Sequence, residues 1–382
     1  MYQIIIKNGM VIDPANHFHG QADVALSEGR IAGVGRFGDD AVMVVDAAGC
    51  IVTPGLIDHH AHLHPMAKIG IPAETMCFAS GVTTAVDAGS TGCYTFRRFL
   101  PCFDQSRLTM RAYLNVCSTG LDSLPASMEQ VDPDTYDSGA IAELMKEHGA
   151  LLLGLKLRTS QEIVKELGYK PLRETVRLAE RLGVPVMVHC TNPPGEMEEL
   201  LSVLRPGDVL THMYMNKGST ILDARGEVSK AACEARERGV LFEAADARAH
   251  FSFEVSEPAI RQGFLPDMIA TDLTKLSMNL RPTAFSMANQ LAKYHMLGIG
   301  LDDLIERCTS RPARYMGLEG KAGCLTPGAW GDVAVFKRAE TEAEFGDRPY
   351  TDPACQLRRG TERFRPMLTV KNGEAVFRDI LF

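Results

Sequence analysis

Long apolar runs are missing from this chain of 382 residues. No stretch approaches the ~20 uninterrupted apolar residues that a membrane span needs, so an integral helical membrane protein is excluded. Basic runs are missing too. The formal charge of −8 arises from 40 Lys and Arg against 48 Asp and Glu spread along the chain, so neither nucleic acid nor an anionic membrane surface is an expected partner. The ten cysteines show no paired spacing such as CxxC; free buried thiols in a reducing compartment are the expectation. Cys190 is one of these, and packing is its expected role despite its place beside a candidate ligand. The opening Met1-Tyr2-Gln3-Ile4-Ile5-Ile6-Lys7 reads as a strand and lacks the layout of a signal peptide. Together these features point to a soluble, cytoplasmic protein.

What is present is an ordinary globular balance, 45% hydrophobic and 23% charged, with material for one or two cores. The first fifty residues alternate in short β-like units, Tyr2–Lys7, Met10–Asp13, Ala22–Ser27, Arg30–Val34 and Met43–Asp46, punctuated by Gly, Asn and Asp. From Pro54 onward, apolar runs of strand length alternate with helical periodicity. A strand ending near Asp58 is followed by Val82–Ala88, Met110–Val116, Leu151–Leu157, Val184–His189, Asp208–His212, Leu241–Ala244 and Met268–Asp272, with Leu172–Arg181 and Ile221–Arg238 among the helices. Eight buried strands alternating with helices predict a TIM-type (β/α)8 barrel of the α/β class. Short strands return after about Gly320, at Asp332–Lys337 and Met367–Phe377. The expected organisation is therefore a barrel over 55–319 and a small β-sandwich domain built from both termini, 1–54 and 320–382. The polar stretch from Arg338 to Arg365 carries no assigned function.

Polar side chains that can hold a metal fall where catalytic residues of such barrels sit, at the C-terminal strand ends. In Asp58-His59-His60-Ala61-His62 the alternation of a strand puts His60 and His62 on one face, a metal-binding pair, with His59 pointing away and His64 beyond. His189, His212 and Asp272 each close an apolar run, and Lys156 lies within Leu151–Leu157. Only eleven histidines occur in the chain, so four of them on matching strand ends is not a chance scatter. A lysine on a buried strand has its pKa pushed down by desolvation. Its neutral amine can react with carbon dioxide to a carbamate, which can bridge two cations as a carboxylate does. The alternative is an amine that reaches a carboxylate or phosphate at the rim.

With these residues in place, the chain resembles the amidohydrolase superfamily, whose hallmarks are the HxH, a lysine on the fourth strand, histidines on the fifth and sixth and an aspartate on the eighth. Val52-Thr53-Pro54-Gly55-Leu56-Ile57-Asp58 and Gly81-Val82-Thr83-Thr84 add to the resemblance. It narrows to a dihydroorotase-like branch that includes acetyl-(R)-mandelate-type deacetylases, through Asp87-Ala88-Gly89-Ser90-Thr91-Gly92-Cys93-Tyr94-Thr95-Phe96, Gly154-Leu155-Lys156-Leu157-Arg158 and Gln262-Gly263-Phe264-Leu265-Pro266-Asp267. The resemblance implies two divalent ions, with Zn²⁺ the best match to N and O ligands and Mn²⁺ or Fe²⁺ as alternatives. His60, His62 and Asp272 would hold the buried ion, His189 and His212 the exposed one, and N-carboxylated Lys156 would bridge them. A metal-bridging hydroxide would attack an amide or ester carbonyl, with Asp272 as the catalytic proton carrier.

One departure limits the transfer. Where relatives of that branch are expected to carry Asp-x-Gly-His-Gly after the seventh strand, this chain reads Glu243-Ala244-Ala245-Asp246-Ala247-Arg248-Ala249-His250-Phe251, so the mandelate substrate does not carry over. Arg158, Tyr94, Arg248, His250, Asn279 and Arg281 are the candidate substrate contacts, and their arginines point to a small anionic substrate. A deacylase is the leading reading and a cyclic amidase of hydantoinase or dihydroorotase type its rival. A mononuclear deaminase and a silent scaffold stand further off. Self-association is common in the superfamily, although no interface is evident in the sequence.

Overall fold

The structure, a computed structural model, describes residues 1–65, 67–122 and 129–382. Five strands open the chain: β1 (Tyr2–Asp13), β2 (Phe18–Ser27), β3 (Arg30–Gly35), β4 (Ala41–Asp46) and β5 (Cys50–Pro54). The two expected units Tyr2–Lys7 and Met10–Asp13 are one strand, broken only by a register shift between Ile6 and Gly9. Asn8, with φ of 61°, takes the left-handed turn of that irregularity.

Eight parallel strands follow: β6 (Leu56–Ala61), β7 (Val82–Gly92), β8 (Thr109–Asn115), β9 (Leu152–Arg158), β10 (Val186–His189), β11 (Val209–Thr211), β12 (Leu241–Ala245) and β13 (Met268–Ala270). They lie in sequence order. A bridge between Ala61 and Leu273 joins the last strand to the first, so the sheet closes on itself as the alternating pattern predicts. Every residue of β7 is buried, which is why these strands read as apolar runs without a polar face. The helix expected at Leu172–Arg181 spans Lys170–Leu182. Pro171 sits in its first turn, and Gly183, at φ 68°, ends it in the left-handed region.

The helix expected over Ile221–Arg238 is confined to Lys230–Glu237. Asp223 accepts from the backbone N–H groups of Arg225 and Glu227, and Leu222 bridges Val228, so the first half folds into a tight turn. Ser229 then caps the helix by accepting from Ala232 N.

The chain returns to the terminal sheet through β14 (Val333–Gly346), β15 (Leu357–Lys371) and β16 (Glu374–Arg378). Asn372 and Gly373, both at positive φ, turn the expected single strand Met367–Phe377 into two. The terminal strands form one mixed sheet, β16-β15-β14-β5-β1-β2-β3, with β4 on β1. Ile6, Val24, Val52, Val335 and Leu368 belong to its own buried cluster. The segment Arg338–Arg365 supplies the outer parts of β14 and β15 and the connection between them. Its far end rests on the barrel rim, where Gly346 N donates to Pro282 O and Arg358 pairs with Glu257. Among the described residues no helix is long and apolar enough to cross a membrane.

Candidate metal centre

At the C-terminal end of the barrel strands, His60, His62, Lys156, His189, His212 and Asp272 come together around a cavity of about 140 Å³. Five of these six line it directly, with Arg158, Arg248 and His250 beside them. Two of the six sit on unusual backbone. His212 and Asp272 follow β11 and β13 with φ of 63° and 50°, a region that non-glycine residues avoid unless their surroundings over-determine it. Asp272 is fastened by its own N–H, which donates to His60 O.

Each of three histidines has Nδ1 engaged by a supporting partner, which turns its Nε2 toward the centre. His60 Nδ1 donates to Glu243 Oε1 at 2.8 Å. His62 Nδ1 lies 2.9 Å from Ser90 Oγ, whose hydroxyl donates to Asp87 Oδ2, so the serine oxygen accepts from the histidine. His212 Nδ1 donates to Ala245 O at 2.6 Å. Such partners fix the tautomer and ring orientation of metal-binding histidines. The free Nε2 atoms of His60 and His62 face Asp272 Oδ1 at 3.5 and 3.1 Å. Burial pulls the His60 pKa down to about 4 and holds those of His189 and His212 well below the ordinary value, so all three imidazoles are neutral at neutral pH. Burial alone would raise Asp272, but His60, His250 and the other facing imidazoles outweigh it and keep the carboxylate ionised.

Lys156 is buried, and among the described residues its Nζ has no hydrogen-bond partner. Burial draws its pKa down to about 8. Room for the side chain is made by Gly89: a Cβ there would stand 2.6 Å from both Lys156 Cβ and Cγ. A buried amine set among neutral imidazoles and one carboxylate, with no partner among the described residues, is a polar group that a bound cation could bring into use. His212 Nε2 and His189 Nδ1 lie only 2.8 Å apart. Since His212 uses its one N–H on Ala245, the pair is arranged around a shared hydrogen or a cation. The residues present fit a divalent metal centre.

Sequence reasoning missed Glu243. Its two carboxylate oxygens hold His59 Nδ1 at 2.6 Å and His60 Nδ1 at 2.8 Å. His59 was expected to point away from its neighbour, yet strict alternation fails because the β6–β7 pairing is irregular between Asp58 and Ala61. His59 Nε2 continues to Tyr113 Oη at 3.3 Å. The signal in the sequence was a charged residue inside the apolar run Leu241-Phe242-Glu243-Ala244, the same signal that singled out Lys156.

Of the candidate substrate contacts, Arg158 and Arg248 line the cavity. Arg158 is pinned by buried Glu129, whereas Arg248 is exposed. Tyr94 is 62% exposed and donates to Asp137, outside the cavity lining. Asn279 and Arg281 are also exposed and outside it, with the Arg281 guanidinium 3.4 Å from the centre of the Phe285 ring. These three lie in loops whose path is set by contacts remote in sequence. His250, expected only at the rim, stands against the centre, its Nδ1 2.9 Å from Asp272 Oδ2.

A closed eight-stranded barrel carrying this donor set defines a metal-dependent hydrolase class. The amidohydrolase family model matches residues 51–376. The chain is 32% identical over 354 residues to a deacetylase of Agrobacterium fabrum, covering 91% of this chain and 85% of that one. A crystal structure of a dihydroorotase superposes with a TM-score of 0.87 at 30% identity, covering 98% of this chain and 99% of the other. A crystal structure of an adenine deaminase gives 0.87 at 26%, covering 99% and 100%. The chain belongs to the amidohydrolase family and is a hydrolase acting on C–N bonds. Members of this family generally bind divalent metal ions, often with a carboxylated lysine.

Proposed function

We propose that this protein is a binuclear metal hydrolase that removes the acyl group from a small anionic amide, with an ester as the alternative bond. The observation that carries the reading is the buried Lys156 amine, without a hydrogen-bond partner among the described residues, in its Gly89 cradle and facing four histidines and Asp272. His60, His62 and Asp272 would hold the inner ion, His189 and His212 the outer one, and carboxylated Lys156 would join them. Zn²⁺ suits this set best. When bound, two such ions lower the pKa of a water toward neutrality and polarise a carbonyl.

The chain's own residues do the rest. Asp272 Oδ2 takes the proton released from water and delivers it to the departing nitrogen. The Arg158 guanidinium, held by Glu129, and the exposed Arg248 bind the substrate carboxylate and orient the scissile bond. Ile69, Leu121 and the half-exposed Leu276 add apolar wall to the cavity. We assign this chemistry to a barrel unit, 55–319, with 1–54 and 320–382 as a supporting unit. The ten unpaired cysteines support a reducing, cytoplasmic setting.

The deacetylase relative favours the acyclic bond, and the dihydroorotase structure favours ring opening as the second reading. Elemental analysis of protein purified without chelators is expected to return two equivalents of zinc or another divalent metal. Turnover of N-acetyl amino acids, cyclic amides and aminopurines then separates the readings. Hydrolysis confined to the cyclic panel overturns the deacylase, and deamination with a single ion overturns both.

A further inference from the structure

The loop after the seventh barrel strand carries a histidine that the resemblance does not account for. His250 points inward. Its ring centre is 4.5 Å from that of His212 and 5.1 Å from that of His189. One ligand atom from each of the three lies within 4.8 Å of the others, a second grouping beside that of His60, His212 and Asp272. Apart from Asp272, the described residues offer the His250 side chain no hydrogen-bond partner.

The backbone that aims it is unusually constrained. Ala247 has φ of 47°, a conformation that a residue with a Cβ holds only when its surroundings impose it. Those surroundings are present. Ala247 N donates to Thr271 O, and Ala284 N donates to Ala247 O. Asp246 is buried and receives Lys293 Nζ at 3.0 Å and Tyr294 Oη at 2.7 Å. His250 N donates to Asp246 O at 2.8 Å. Lys293 in turn reaches Gly346 O and packs over the Phe251 ring. A loop that served only as a solvated connection has no need of a buried ion pair and a left-handed alanine.

We propose that His250 is a third imidazole ligand of the exposed ion, completing a three-histidine position with His189 and His212. This rests on the metal-hydrolase reading and adds a ligand supplied by the one loop where the chain departs from its branch. Three neutral imidazoles satisfy a divalent ion of borderline softness without the bridging lysine. The exposed ion is therefore held independently of Lys156.

The test uses Zn²⁺- and Co²⁺-loaded protein. In wild type, X-ray absorption at the zinc edge is expected to count five imidazoles over two ions; four overturns the proposal. His250→Ala is expected to release one ion to a chelator with an affinity loss above about 100-fold, beyond the roughly 10–100-fold that follows from losing a supporting hydrogen bond. His250→Cys, which offers a thiolate, is expected to restore retention and shift the Co²⁺ absorption. His250→Asn, which can still donate to Asp272, is expected to fail. Full rescue by His250→Asn makes the residue a positioning group for Asp272 and overturns the assignment. Lys156→Ala is expected to keep one ion, and Lys156→Ala/His250→Ala to keep fewer. Wild-type protein that binds no ion after reconstitution refutes the underlying metal reading instead.

Discussion

Glu243→Gln isolates what a buried carboxylate does for this site. Glu243 is fully buried, and both oxygens are occupied by imidazole Nδ1 atoms, from His59 at 2.6 Å and His60 at 2.8 Å. Burial alone would raise its pKa, but the two facing histidines hold it well below the usual carboxylate range. Glutamine has nearly the same volume, so packing is preserved, yet it presents one acceptor and one N–H₂ group. One of the two imidazole N–H donors then faces another donor. A buried donor left unpaired costs about 1–3 kcal/mol, so metal-stripped Glu243→Gln should unfold at lower urea by that amount. Glu243→Ala, which removes both acceptors, should lose about 3–5 kcal/mol. If His60 is the group left facing the amide, only Thr211 Oγ1, 3.0 Å from Nδ1, remains to accept its N–H, so the tautomer is held less firmly and Nε2 is protonated part of the time. Ion affinity should then fall by roughly 10–100-fold, equivalent to about 1.4–2.7 kcal/mol. Chelator competition reads this directly. Glu254→Gln is the control, since among the described residues the Glu254 carboxylate accepts from Asn216 and Gln356 at the surface, away from the centre. Unchanged unfolding midpoints together with unchanged ion affinity in Glu243→Gln would refute the idea that this carboxylate orients His60.

Gly89→Ala puts a Cβ 2.6 Å from the Lys156 side chain at a backbone φ of 80°; with the lysine displaced, kcat/KM should fall by more than about 100-fold and bound metal should drop, while circular dichroism stays native. Equal activity and metal content would show that the cradle is not needed. The metal-free protein should lose stability on acidification. His60 titrates near 4 when folded and 6.5 when unfolded, so its contribution is complete above 6.5 and is lost as pH falls toward 4, by roughly 3 kcal/mol. His189, His212, Glu243 and Asp272 act in the same direction, and Asp58, pushed up to about 7 by burial, opposes them. Urea unfolding at pH 5 and pH 7 measures the balance, and greater stability at pH 5 would contradict it. Arg248→Ala should raise KM for carboxylate-bearing substrates by about 10- to 100-fold with kcat nearly constant, the size of one charge-assisted hydrogen bond. A matched neutral substrate should be unaffected; an equal loss on both would remove Arg248 from carboxylate binding.

The barrel and the gathering of six polar side chains at one end of it were legible from the linear chain because both depend on local pattern. Apolar runs of strand length alternate with helices, and in a parallel barrel every such run ends on the same face. A histidine, lysine or aspartate near the end of a run therefore lands beside the others whatever the loops do. His60, His62, Lys156, His189, His212 and Asp272 come together for that reason. The turn at Asp223–Glu227 and the break at Asn372-Gly373 misled the reading of element lengths, since side-chain capping and positive φ override periodicity. Glu243 meets His59 and His60 across the barrel from a strand about 180 residues later, and only closure of the sheet makes them neighbours. Gly89 mattered only once Lys156 was seen packed upon it. Tyr94, Asn279 and Arg281 turned away from the cavity while Arg248 and His250 turned toward it, because loop paths follow long-range anchors. Lys293 and Tyr294 secure Asp246 from a helix far along the chain, and Gly346 O on a later strand accepts from Lys293 in turn. Strand-end chemistry is written in a period of two, but the direction of a loop side chain is decided by partners that only folding brings within reach.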